Sequence, residues 1–178
     1  MKRSLIFFIA IILNFQSCKK PMTQSCENSK FSLLENDAFE ETQKTKSFSN
    51  SIFIVNEGGF TNGNASVSAY NPNTNEIINN VFSTVNNLSL GDIAQSITRK
   101  DDFLYLTINN SQKIEVVNRE TFERKKTITG FSSPRYSLFI GDEKVLVSDL
   151  YERKINALDL KDACEIGSID TKGWTEQI

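Results

Sequence analysis

One feature restricts this chain more than any other: from residue 52 onward, short alternating apolar runs recur with a period of about 41 residues. Phe103-Leu-Tyr-Leu-Thr107 lines up with Lys144-Val-Leu-Val-Ser148, and Lys113-Ile-Glu-Val-Val-Asn118 with Lys154-Ile-Asn-Ala-Leu-Asp159, both at an offset of 41. Ser96 and Ser137 share that offset. An earlier copy, Ser66-Val-Ser-Ala-Tyr-Asn71, matches the 113–118 run at an offset of 47, and Thr74 matches Thr121 at the same offset. Strict alternation over about five residues, bounded by turn residues, is the pattern of a half-buried strand. Four such runs per period of about 40 residues mark a propeller blade.

The expected strands are 52–56, 65–71, 76–82, 93–98, 103–109, 113–118, 124–128, 136–140, 144–149, 154–159 and 165–169. No amphipathic stretch of helix length lies among them, so the chain reads as all-β. Turn residues fall at equivalent places. Lys100-Asp-Asp102 matches Gly141-Asp-Glu143, and Asn71-Pro-Asn-Thr74 matches Asn118-Arg-Glu-Thr121 and Asp159-Leu-Lys-Asp162. Asn, Asp, Gly and Pro at fixed offsets are what tight turns require. With strands lettered A to D from hub to rim, the chain reads as B, C and D of a first blade, two full blades, and the start of a fourth inner strand. That is a partial β-propeller, about three four-stranded blades of an expected seven. A seven-bladed ring needs on the order of 300 residues, so the sequence is expected to be the front of a longer protein, a fragment. Closure by association of copies is the alternative.

The N-terminus carries a second signal. Lys2 and Arg3 precede nine unbroken apolar residues, Leu5 to Leu13. A membrane-spanning helix needs about 20, so this is expected to be a signal peptide over 1–17. Cys18 follows Ser17 directly after it, an arrangement that resembles a bacterial lipobox in a loose form, with Phe15 and Gln16 in place of the usual residues. The resemblance implies lipidation at Cys18 and a stable anchor from two acyl chains. Residues 18–50, rich in Lys, Ser, Thr, Gln, Asn and Glu, read as a flexible tether of roughly 30 Å. Cys26 lies within it. Pairing of Cys26 with Cys164 and two unpaired thiols are both open at this point. Residues 51–178 form the propeller portion.

Composition removes several functions. The formal charge is −2, and −4 once the first 17 residues are removed. No basic stripe stands out, so nucleic acid is not an expected partner. There is no histidine, which removes the commonest metal ligand and general base. The three cysteines form no CxxC pair.

At Ile52-Phe-Ile-Val-Asn-Glu-Gly-Gly59 and again at Gly173-Trp-Thr-Glu-Gln177, the chain resembles the YncE-like seven-bladed propellers. Within them it is most similar to the surface-exposed cobalamin-binding lipoproteins that partner TonB-dependent vitamin B12 transporters. That resemblance implies an outer-membrane, lipid-anchored, surface-exposed protein. It would bind a corrinoid as ligand rather than cofactor, pass it to a transporter, and catalyse nothing.

The repeat locates the loops that converge on the channel. The expected ligand-binding residues are Phe60, Gln95, Asn109, Asn110, Arg135, Tyr136, Tyr151, Trp174 and Glu176. Corrins carry amide arms around a flat apolar ring, which Asn, Gln and Arg can hydrogen-bond and which Tyr and Trp can cover. Two other classes remain in view. A lactonase-type propeller enzyme would hold a divalent metal with Glu57, Asn109 and Asp149. A scaffold propeller would bind a surface protein or glycan.

Overall fold

The computed structural model describes residues 29–35 and 46–178. The expected signal peptide, Cys18 and Cys26 lie outside the described residues. Twelve strands and one short helix follow in order. The first sheet in the chain is three-stranded, β2 (Ile52–Asn56), β3 (Ser66–Asn71) and β4 (Glu76–Ile78), and helix α1 (Val81–Asn86) leads out of it. The second sheet holds β5 (Ala94–Lys100), β6 (Phe103–Ile108), β7 (Lys113–Asn118) and β8 (Arg124–Thr129) as neighbours in sequence order. The third holds β9 (Pro134–Ile140), β10 (Lys144–Asp149), β11 (Lys154–Asp159) and β12 (Glu165–Asp170) in the same order. Every pairing is antiparallel. These are the expected blades, the first without an inner strand.

The repeat holds in hydrogen bonds as well as in residues. Asn118 Oδ1 accepts from the backbone N–H of Glu120 and Thr121. Asp159 accepts likewise from Lys161 and Asp162, and Asn71 from Asn73. One side-chain acceptor at the end of strand C thus folds the C–D turn in all three blades. Backbone conformation repeats even where side chains do not. Asn75, Phe122 and Ala163 occupy the same turn position and all have positive φ (57°, 61° and 54°), as do Gln112 and Arg153 (57° and 54°) in the next.

Two apolar seams hold the blades face to face. Between the first and second lie Val67, Ala69, Val81, Phe82, Leu104, Leu106, Val117 and Phe122, with Phe53 and Val55 packed against them. The Phe53 and Phe122 rings are 5.0 Å apart. Between the second and third lie Ile114, Val116, Ile128, Val145, Val147, Leu158 and Ala163. Tyr105 and Phe139 meet edge-on there at 4.7 Å, and burial pushes the Tyr105 phenol above its ordinary pKa. The pattern is head to tail. Leu104 and Leu106 face the preceding blade, as do their equivalents Val145 and Val147. Ile114, Val116 and Ile128 face the following blade. Their third-blade equivalents Ile155, Ala157 and Ile169 lie on a face with no blade against it among the described residues, and Ile169 is 53% exposed. Ile52 and Ile54 are exposed on the opposite face of the first blade.

Two elements depart from the sequence reading. The run expected as one strand over 76–82 stops at Ile78. Asn80 and Asn87 adopt left-handed φ of 55° and 53° and bracket helix α1 between them, a conformation that asparagine tolerates better than most residues. Val81 and Phe82 are buried as expected, but from a helix. Asn86 fastens that helix to the next blade: its amide donates to the carbonyls of Phe82 and Phe122, and its oxygen accepts from Arg124 N–H.

The second departure lies in the segment read as tether. Ser32–Glu35 form strand β1, which pairs in antiparallel register with the rim strand β8, Ser32 opposite Thr129 and Glu35 opposite Lys126. The preceding Phe31 is buried and its ring lies 4.9 Å from that of Phe131. Phe48, further along the same segment, is buried in the first seam.

Candidate functional site

Strand direction decides what gathers where. Each inner strand starts at one end of its blade, so the D–A connections and B–C loops all fall at that end, and the A–B and C–D turns at the other. Phe60, Asn110, Tyr151 and Trp174 are on these loops. Gln95, Arg135 and Tyr136 open the inner strands, with Asn109 beside them. Glu176 follows Trp174 in the segment after β12, so the nine residues expected from sequence fall at one end of the blades.

Side-chain bonds join β5 to β9, and β10 to the segment after β12. Ser96 Oγ donates to the Arg135 carbonyl at 2.8 Å and Thr98 Oγ1 to that of Ser137 at 3.3 Å. Ser148 Oγ donates to the Glu176 carbonyl at 2.7 Å. On this frame, Gln95 Nε2 donates to Tyr136 Oη at 3.4 Å, and Gln95 Oε1 is buried without a partner. The Arg135 guanidinium holds the Glu176 carboxylate at 2.7 and 2.9 Å. Both pairs join residues 41 positions apart: next to each other on β9, Tyr136 reaches to the inner strand β5 and Arg135 to the segment after β12.

Phe60, Tyr151 and Trp174 are 64%, 62% and 72% exposed, each on a different loop. Asn109 is placed differently. It is buried, and its amide donates to Ser133 Oγ and the Pro134 carbonyl, so its described bonds position the inner strand. Asn110 is exposed and donates to Asp92.

Two acidic residues that organise the mouth, Asp92 and Asp149, lie outside the nine expected ligand-binding residues. Asp92 accepts from Asn110 and from the backbone N–H of Thr61 at 2.8 Å, which clips two B–C loops together; its other oxygen, Oδ1, is buried without a partner. The backbone beside it has positive φ at Gly91 (126°) and at Ile93 (59°). For a β-branched residue that is a strained conformation. Asp149 is fully buried and accepts from the N–H groups of Ser132 and Ser133 at 2.8 and 2.9 Å. An aspartate at the end of a strand gives no sign in sequence that its bonds cross to another loop. Asn109 and Asp149, two members of the alternative metal set, thus both hold the 132–134 connection. Among the described residues no group of three or more His, Cys, Asp or Glu side chains is placed to hold a metal.

A separate cavity of about 420 Å³ lies between β3 and the α1 region, lined by Asn64, Ala65, Asn80, Phe82, Asn87 and Leu90 among others. It includes none of the nine expected residues. The sequence signal for it was the long first D–A connection, 79–93, against four residues at 130–133.

A domain family described as a domain of unknown function (DUF5074) matches residues 50–173. The chain belongs to this family. The DUF5074 match begins just before β2 and ends just after β12, so it covers all three blades. No curated protein sequence matches the chain. Solved structures that resemble it include a dihydro-heme d1 dehydrogenase, NirN, in complex with DHE, at 15% identity and a TM-score of 0.54 over 85% of this chain and 32% of that one. Another is U3-55K, at 9% identity and a TM-score of 0.50 over 78% and 42%. These likenesses identify the fold of the DUF5074 domain as that of a β-propeller. The chain spans about a third of the length of the first structure and about two fifths of the second.

Proposed function

We propose that the mouth of the propeller binds a ligand, that the ligand is cobalamin or a related corrinoid, and that the protein presents it to a TonB-dependent transporter from a lipid anchor at Cys18. One observation carries this reading. At equivalent positions the inner strands β5 and β9 and the segment that follows β12 present different side chains, Ala94, Arg135 and Glu176, then Gln95, Tyr136 and Gln177, while the two inner strands repeat in backbone. A ring of unlike groups on a repeating frame suits one asymmetric ligand. The cross-strand pairs hold amide, phenol and guanidinium groups in place, which lowers the ordering cost of binding. Exposed Phe60, Tyr151 and Trp174 add apolar area around them. The resemblance at 52–59 and 173–177 selects a corrinoid among possible ligands, and amide arms around a flat ring suit the amide and aromatic groups at the mouth. Cys164 is disulfide-bonded, which supports export to an oxidising compartment.

The test is calorimetric and spectroscopic titration of the protein with cyanocobalamin. Saturable binding is expected, weakened on the order of tenfold by Trp174→Ala or Tyr136→Ala. Neither heat nor spectral change at high ligand concentration would refute the corrinoid assignment. Copurification of a surface protein or glycan would then favour the scaffold reading, and a stoichiometric divalent metal the lactonase reading.

A further inference from the structure

The segment before β1 does more than lead into the propeller. Ser29 Oγ accepts from the backbone N–H of Glu165 at 3.3 Å, so residue 29 lies against the start of β12 in the third blade. Lys30 pairs with Glu152 of the same blade, and its Nζ also lies 4.8 Å from the centre of the Phe31 ring. Phe31 is buried in the seam between the second and third blades. Ser32–Glu35 then pair with the rim of the second blade. Seven residues thus bridge two blades. Immediately beside the Ser29 contact, Cys164 is buried and disulfide-bonded.

We infer that the partner of Cys164 is Cys26, and that this bridge fastens the N-terminal segment to the third blade and shortens the tether. The chain has three cysteines. Cys26 is three residues from Ser29 and Cys18 is eleven. In the lipid-anchored reading, on which the tether consequence rests, the Cys18 sulfur carries the lipid and cannot pair. The bridge forms by exchange with a disulfide oxidant of the thiol–disulfide oxidoreductase class. The Cys26 thiolate attacks one sulfur of the oxidant and its other sulfur leaves as a thiolate. The Cys164 thiolate then attacks the Cys26 sulfur and displaces the second. Two thiols lose two protons and two electrons, and the oxidant becomes a dithiol.

The span from the anchor to the propeller then ends at Cys26 rather than at Ser29, the first residue seen against a blade. Eight residue steps reach at most about 29 Å even when fully extended, at about 3.6 Å each. Without the bridge, the eleven steps from Cys18 to Ser29 reach at most about 40 Å. The bridge therefore holds the propeller next to the membrane that bears its anchor, within range of a transporter in the same bilayer.

The experiment is a non-reducing tryptic map of the full chain exported from cells, alkylated before digestion, with hydrogen exchange measured on the same material. The peptide ending at Lys30 should be recovered linked to Asp162–Lys172, and the link should vanish on reduction. Amides of Ser32–Glu35 should exchange on the order of tenfold faster in Cys26→Ser than in the unaltered protein, because a closed loop favours docking. Alkylated free thiols at Cys26 and Cys164, or a Cys18–Cys164 link, would overturn the assignment. Equal exchange in both proteins would overturn the fastening role. None of these readouts depends on corrinoid binding.

Discussion

Asp149→Asn is the sharpest test of how the mouth is held. Asp149 is fully buried at the end of β10, and its two oxygens are divided: Oδ2 accepts from Ser132 N–H at 2.8 Å, Oδ1 from Ser133 N–H at 2.9 Å. Asparagine has almost the same shape but one acceptor oxygen. Whichever way its amide turns, one backbone N–H meets an NH2 group and loses its acceptor. A hydrogen bond to a charged group contributes about 1.5–3 kcal/mol, and a buried donor left unpaired costs about 1–3 kcal/mol. The expected destabilisation is therefore about 2–4 kcal/mol, and somewhat more for Asp149→Ala, which strands both donors and also removes the acceptor of the longer bond from Glu152 N–H at 3.4 Å. Urea unfolding followed by far-ultraviolet circular dichroism measures it, with an unchanged m-value as the sign that the folded state is intact. The residues affected lead straight into Pro134–Tyr136, so ligand affinity should fall together with stability. A loss below about 0.5 kcal/mol would refute the reasoning, since it would mean that water or a shifted loop satisfies the donors as well as the carboxylate does.

Two further perturbations address the N-terminal segment. Gly130 has φ of 103°, and a Cβ there would lie 2.4 Å from the Lys30 carbonyl oxygen. Gly130→Ala should cost at least about 2 kcal/mol in the full chain but only about 1 kcal/mol in a chain lacking residues 1–45; an equal penalty in thermal unfolding of both would refute the contact. Burial alone would raise the pKa of Glu152, but hydrogen bonds from Lys30 and Lys154 outweigh it and hold the carboxyl below the ordinary carboxylate range. A lowered folded-state pKa gives stability that is complete above the unfolded value and is lost as pH falls through the folded one. The stability gap between the unaltered protein and Glu152→Gln should thus be constant from pH 7 to about pH 5 and close in more acidic solution; a gap that widens on acidification would contradict this.

The blades were legible because they repeat. Any one alternating run, such as Lys154–Asp159, is weak evidence; its alignment with Lys113–Asn118 at the same offset as two other matches is strong. The C–D turns were legible for a chemical reason, since Asn71, Asn118 and Asp159 are acceptors placed where a turn needs one. Strand β1 was not legible. Ser-Leu-Leu-Glu is too short to carry a period, and what makes it a strand is the free rim of β8, about 95 residues away in sequence. Helix α1 was hidden in a similar way: Val81 and Phe82 read as strand residues because burial, not element type, is what an apolar pair reports.

The mouth divides along the same line. The repeat arithmetic could bring Gln95 to Tyr136 and Arg135 to Glu176, because each pair is separated by one blade period. It could not show that Asn109, Asp92 and Asp149 spend their polar groups on neighbouring loops, because those partners lie off the period. That difference separates frame from payload. Asn109 and Asp149 are buried and bonded to backbone or to buried hydroxyl, so changing them disturbs the fold before it disturbs a ligand. Trp174, Tyr151 and Phe60 are mostly exposed, so packing among the described residues gives little reason for large aromatic side chains there. Leaving such side chains in water brings no gain in folding stability; covering them with a ligand does bring one in binding. Ligand affinity that drops in Trp174→Ala without any change in unfolding midpoint, against joint loss of both in Asp149→Asn, is the signature this division predicts.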